Sequence, residues 1–299
     1  MASEAFEAIV AMLREGELLA AVGISAQAAR DSLNSSSAMF PLADDITIEA
    51  VDCDGVPGEW TRAAGALDDA AMLYLHGGGY VIGAPSTHRN LCSALARSTG
   101  VSVLSLDYRL APEHPHPAAV DDATRAYRWL LDRGIDASRV AIAGDSAGGG
   151  LTVATLVKLR DDGVAQPGAA VAISPWVDIA MTGDSMQRLA GADPMIEPWA
   201  LRQMAEWFIR DGDPLDPYAS PLYADLSNLA PMLIHVGEVE VLLDDSRRLH
   251  ASMIAADGDS TLVEFSEMVH VFHAFCGLVP EADAAVAQVA EFVRKRLAL

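Results

Sequence analysis

The sequence predicts an α/β fold built on a mostly parallel sheet with helices on both faces. Three observations carry this. Short apolar runs alternate with stretches of helical periodicity through most of the chain, which is how buried parallel strands and their connecting helices read. Some of these runs end directly in glycine clusters, as strands do when a tight turn must follow. The chain has 299 residues, 51% of them hydrophobic, enough for a large core that needs neither disulfides nor metal.

Taken in order, the elements are as follows. Phe6, Ile9, Val10 and Leu13 have helical spacing and predict a helix to about Leu19, followed by a Ser/Asn-rich loop around Ser35–Ser37. Strand-like runs come at Ile46–Val51 and near Trp60. Met72–Leu75, Val101–Leu106, Val140–Ala143, Ala169–Ile173, Met232–Val236 and Thr261–Phe265 complete a sheet of about eight strands. Ser86–Ser98 reads as helix. Pro117 opens another, with Val120, Ala123, Tyr127 and Leu131 on one face and Gly134 as its stop. Leu151–Leu159 is apolar nearly all round, as a central helix buried on every side should be. The last helix carries Val286, Val289, Val293 and Leu297 on one stripe and Arg294, Lys295 and Arg296 in its final turn, where cations suit the helix dipole. The stretch Thr182–Tyr223 breaks the rhythm. It is rich in Met, Trp and Pro, with a helix expected at Trp199–Ile209, and reads as an insertion covering the C-terminal edge of the sheet. The whole is read as one domain over residues 1–299, with covering elements from about residues 1–45 and 182–223.

Charge and cysteine usage narrow the function classes. With 42 acidic against 20 basic residues the net charge is −22, which disfavours nucleic acid as a partner because phosphate backbones are held by Lys and Arg. Cys53, Cys92 and Cys276 are odd in number and widely spaced, so buried free thiols are expected rather than a disulfide framework or a zinc knuckle. The first twenty residues are acidic where a signal peptide is basic, and no apolar run reaches the ~20 residues that span a bilayer, so a cytoplasmic protein without a membrane span is expected.

Two glycine clusters carry chemistry. Gly144-Asp145-Ser146-Ala147-Gly148 matches G-x-S-x-G, follows a strand and opens a helix. That context suits a nucleophile elbow, whose strained turn lifts the serine hydroxyl clear of the backbone at a helix N-terminus. His76-Gly77-Gly78-Gly79-Tyr80 follows the strand Met72–Leu75 and exposes N–H groups able to hold an oxyanion. A dinucleotide loop fails on spacing, because position 82, where the third glycine should fall, is Ile82.

With Tyr108–Ala119 (YRLAPEHPHPAA) between them, these motifs resemble the bacterial hormone-sensitive-lipase-like esterases, known as family IV, of the α/β-hydrolase fold. The motifs cover the middle third of the chain in the family's order. The resemblance implies an eight-stranded α/β-hydrolase core, a helical cap and hydrolysis of short-acyl carboxylic esters. It also implies an oxyanion hole from the N–H groups of Gly78, Gly79 and Ala147, a supporting role for the Tyr108–Ala119 loop, and no metal or organic cofactor. Family members often pair through an edge strand, so a homodimer is one expectation.

A serine hydroxyl needs a histidine to take its proton and a carboxylate to orient that histidine. In this fold nucleophile, acid and histidine follow in that chain order. His235 lies in a strand pattern and His250 on a helix, whereas His270 and His273 follow the last strand. Both His270-Val271-Phe272 and His273-Ala274-Phe275 fit the family's pattern; the preceding Glu267-Met268-Val269 favours His270 by resemblance. The family more often has Asp-Pro-Leu-x-Asp at its acid. Aligning Leu242 and Asp244 with that pattern puts Glu240 at the acid position, so this chain departs by having Glu and lacking the proline, with Glu238 and Asp244 as alternatives. Asp244 and Asp245 are also expected to cap the helix that they open. The same triad serves lactones and amides, and a non-catalytic binding protein on this fold is the distant alternative.

Overall fold

The computed structural model describes residues 2–15, 22–37 and 44–299. Eight strands form one sheet in the order β1-β2-β4-β3-β5-β6-β7-β8. They are β1 (Ile46–Asp52), β2 (Pro57–Ala63), β3 (Leu67–Leu75), β4 (Val101–Leu106), β5 (Val140–Asp145), β6 (Ala169–Ile173), β7 (Met232–Gly237) and β8 (Ser260–Phe265). Pairing is antiparallel at β1/β2 and β2/β4 and parallel from β4 to β8.

The central strands are apolar on both sides because both faces are covered. In β3, Ala71, Leu73 and Leu75 face one core, while Met72 and Tyr74 face the other. The first core is covered by α4 (Ala118–Asp132), α5 (Ala147–Asp161) and α8 (Leu243–Ala255), and the second by α3 (Arg89–Thr99) and α9 (Pro280–Arg296). Helix α5 is buried from Ala147 through Val157, as its all-round apolarity predicts. The stripe of α9 at Val286, Val289, Val293 and Leu297 is buried. In the inserted segment, α6 (Ser185–Arg188) and α7 (Pro198–Ile209) lie between β6 and β7.

The N-terminal region departs from expectation. Helix α1 spans Glu4–Arg14, and the rest of the stretch read as helix to about Leu19 lies, from residue 16 on, outside the described residues. The Ser/Asn-rich stretch read as a loop is the end of helix α2 (Ala26–Ser37). Its hydroxyls bond within the helix instead of breaking it: Ser35 Oγ donates to Asp31 O at 2.8 Å, and Ser37 Oγ to Asn34 O at 2.9 Å. Tertiary contact then holds the helix in place. Arg30 donates to Val81 O, to Ala111 O and to the carboxylate of Glu113.

Candidate active site

Five of the loops that leave the C-terminal ends of the strands converge, as ligand sites in open α/β sheets require. Strands β3 and β5 pair directly, with Leu75 opposite Gly144, so the glycine loop after one lies beside the serine turn after the other. Ser146 stands between the end of β5 and the start of α5 with φ 54 and ψ −120, a conformation costly for a residue with a Cβ. The turn is pinned by Ser146 N–H donating to Ile173 O at 2.8 Å, and by Ser146 O accepting from Trp176 N and Gly150 N. Gly148 lets α5 press against β3: a Cβ there would stand 1.9 Å from Leu75 O.

The glycine loop is held from behind by Asp145, the variable residue of the serine motif. Its Oδ1 accepts from Tyr74 OH at 2.6 Å and from Gly77 N–H at 3.0 Å. Burial alone raises this carboxyl, but the charge of His88 and the hydrogen bonds from His88 and Tyr74 win and hold it down at about 2. Gly78 and Gly79 both have positive φ, 113 and 61. A Cβ on Gly79 would meet Met204 Sδ of α7 at 2.1 Å, so the inserted segment sits directly on this loop. The Tyr108–Ala119 loop supports it from below: Tyr108 OH donates to His76 O at 2.7 Å, and its ring stacks on His76 at 4.2 Å.

Ser146, His270 and Glu240 are brought together. Ser146 Oγ lies 2.9 Å from His270 Nε2, and His270 Nδ1 lies 2.6 Å from Glu240 Oε2. Glu240 Oε2 can only accept, so Nδ1 carries the hydrogen and Nε2 is free to accept from the serine. Glu240 is fully buried, and its other oxygen accepts from Gly237 N–H at 2.6 Å and Ser174 Oγ at 2.8 Å. Burial works against the charged form of His270, but the adjacent Glu240 carboxylate outweighs it and holds the imidazole above its ordinary value. Ser174, which follows β6, also accepts from Val271 N–H at 3.1 Å. It carries no motif signature, and no sequence pattern pointed to it.

The other candidates are elsewhere. His273 is buried against His235, Nε2 to Nδ1 at 3.0 Å, and burial keeps both imidazoles neutral. His250 pairs with Ser260. Glu238 accepts from Ser266 Oγ at the surface. Asp244 and Asp245 do not cap their own helix. Asp244 accepts from Ser185 N–H at the start of α6, and the buried Asp245 from Val177 and Asp178 N–H, because these neighbouring segments present free donors to the two carboxyls. The three cysteines are buried and free. Among the described residues, no group of three or more His, Cys, Asp or Glu is arranged to hold a metal, and no helix is long and apolar enough to cross a membrane.

Residues 72–274 match the family described as the alpha/beta hydrolase fold. An acetyl-hydrolase of Streptomyces hygroscopicus is 46% identical over 236 residues, 79% of each chain. An ethyl acetate hydrolase of Pseudomonas putida is 34% identical and covers 94% of each chain. A crystal structure of an esterase from the bacterial hormone-sensitive lipase family superposes with a TM-score of 0.95 at 44% identity, covering 99% of each chain. These likenesses run from one end of the chain to the other, and on their strength it belongs to the bacterial hormone-sensitive-lipase-like esterases of the α/β-hydrolase fold and is a serine carboxylesterase.

Proposed function

We propose that the chain hydrolyses short-acyl carboxylic esters through an acyl-enzyme on Ser146, with His270 as general base and acid and Glu240 as its orienting carboxylate. The observation that carries this reading is the continuous hydrogen-bonded line from Ser146 Oγ through His270 to Glu240. Ser146 Oγ attacks the ester carbonyl carbon while its proton passes to His270 Nε2. The carbonyl oxygen, now negative, rests on the N–H groups of Gly78, Gly79 and Ala147. His270 then protonates the leaving alcohol as the C–O bond breaks. Water, giving its proton to His270, attacks the acyl group and returns Ser146 with its hydrogen. Residues of the N-terminal region and of the segment 182–223 form a cap over this centre, and chain and cap make one domain. A homodimer through an edge strand and a cytoplasmic location belong to the same reading.

Short acyl groups are favoured because Met204 of α7 lies against Gly79, and Phe208 stacks on Tyr80 with ring centroids 3.9 Å apart. The space beside the oxyanion glycines is therefore filled by the cap. The acetyl-hydrolase and ethyl acetate hydrolase relatives agree with this choice. A p-nitrophenyl ester series should give kcat/KM highest at acetate to butyrate and falling by about 100-fold at dodecanoate. A maximum at long chains overturns the short-acyl assignment. Matched lactone and amide substrates should be slower than the ester, and the reverse order would favour a lactonase or amidase.

The pH dependence follows from His270. The imidazole must be neutral to take the serine proton, so activity rises with pH as the imidazolium is lost. Because Glu240 holds the folded value above the ordinary 6.5, the acid limb of kcat/KM should have its midpoint above 6.5. A limb centred below 6 would contradict the assignment of His270.

A further inference from the structure

The backbone that carries His270 is itself strained. Val271 has φ 47, a left-handed conformation that a β-branched residue rarely adopts. Such a conformation persists only where its surroundings over-determine it. Here two successive N–H groups are held by side chains from distant parts of the chain. Val271 N–H is bound by Ser174 Oγ. His270 N–H donates to Asp193 Oδ2 at 2.5 Å, across 77 residues of sequence.

Asp193 belongs to the inserted segment, between α6 and α7, and is 1% exposed. Its other oxygen accepts from Met195 N–H at 2.7 Å. Both oxygens thus face N–H donors, which only a carboxylate satisfies; an amide offers one oxygen and would turn its own N–H₂ toward the second donor. Next to it, Ala192 O accepts from Arg14 Nη2 at 3.0 Å, which ties α1 to the same point. Burial pushes the Asp193 carboxyl up to about 6, with His270 working against the shift and Glu240 adding to it.

We propose that Asp193 is a positioning residue, by which the inserted segment clamps the histidine loop and sets the imidazole against Ser146. The inference rests on His270 being the base. The segment above the site is then part of the device that aligns the proton acceptor, as well as a wall of the pocket.

The test uses the full chain with p-nitrophenyl acetate, and rates normalised to active sites titrated with diethyl p-nitrophenyl phosphate. Asp193→Ala should lower kcat by about tenfold or more, the loss of one buried charge-assisted hydrogen bond, with KM within about twofold. Asp193→Asn, which keeps the volume and one acceptor, should fall between Ala and wild type; if the Ala variant fails to fold, a kcat at least about threefold below wild type in Asn carries the test. Normalised kcat at the wild-type level in the folded variants overturns the proposal. So does a rise in KM at unchanged kcat, which would make Asp193 a pocket-shaping residue only. His270→Ala run alongside separates the two readings. Retained turnover there overturns the assignment of His270 and this inference with it, whereas lost turnover with Asp193→Ala at wild-type kcat overturns this inference alone.

Discussion

Ser146→Ala should reduce kcat/KM for p-nitrophenyl acetate by at least about 10⁴-fold while leaving the protein folded. The large loss is expected because, among the described residues, no other hydroxyl is bonded to His270 Nε2, so the covalent route closes and only the proposed oxyanion donors remain to act on bound ester. Structural damage should be slight. Ser146 holds its turn with backbone atoms, through Ile173 O, Trp176 N–H and Gly150 N–H, and Ala keeps all three. The strained φ of 54 is as costly for Ala as for Ser, so the melting temperature should change by only a few degrees. Turnover near wild type, measured on protein free of contaminating esterase, would remove Ser146 from the mechanism.

Glu240→Gln should cost about 10³- to 10⁴-fold in kcat, through the wrong tautomer rather than lost packing. Two donors, Gly237 N–H and Ser174 Oγ, converge on Glu240 Oε1. In the Gln variant they would claim the amide oxygen, which turns the N–H₂ toward His270 Nδ1. The imidazole must then accept at Nδ1 and carry its hydrogen on Nε2, where it can no longer take the serine proton. The acid limb of the pH profile should also move down, since the charge that favours the imidazolium is gone. A kcat within tenfold of wild type would shift the role of acid to another carboxylate. Asp193 is then the one to examine, as it is the other acidic side chain bonded to His270.

Much of the architecture was legible because each signal is local. Strands β4 and β6 coincide with their apolar runs to the residue, since both are buried along their whole length and only the small Ser102 and Ser105 interrupt the run in β4. The serine turn and the glycine loop were legible as glycine clusters at strand ends, where tight turns need them. Glu240 came into view through Leu242 and Asp244 and not through its own identity. What escaped depends on contacts distant in sequence. Serine-rich α2 forms because its hydroxyls bond inward and Arg30 docks it, outcomes that the intrinsic preferences of Ser and Asn oppose. Ser174 and Asp193 act through backbone N–H groups of the histidine loop, 97 and 77 residues away, and no spacing rule connects such positions.

The order of the strands has a consequence for synthesis. Ser146 and the glycine loop belong to the sheet's centre, which the ribosome delivers early, but the imidazole is borne on the loop after β8, the last strand and one edge of the sheet. Ser146 and His270 are 124 residues apart. A nascent chain ending before residue 270 therefore presents a serine with no proton acceptor beside it. Esterase activity should appear only once the loop that bears His270 has emerged, and the 124 residues that separate it from Ser146 take about 6 to 25 seconds to make at elongation rates of about 5–20 residues per second. Turnover is in this sense a report that synthesis has passed the loop after β8, acquired in one step.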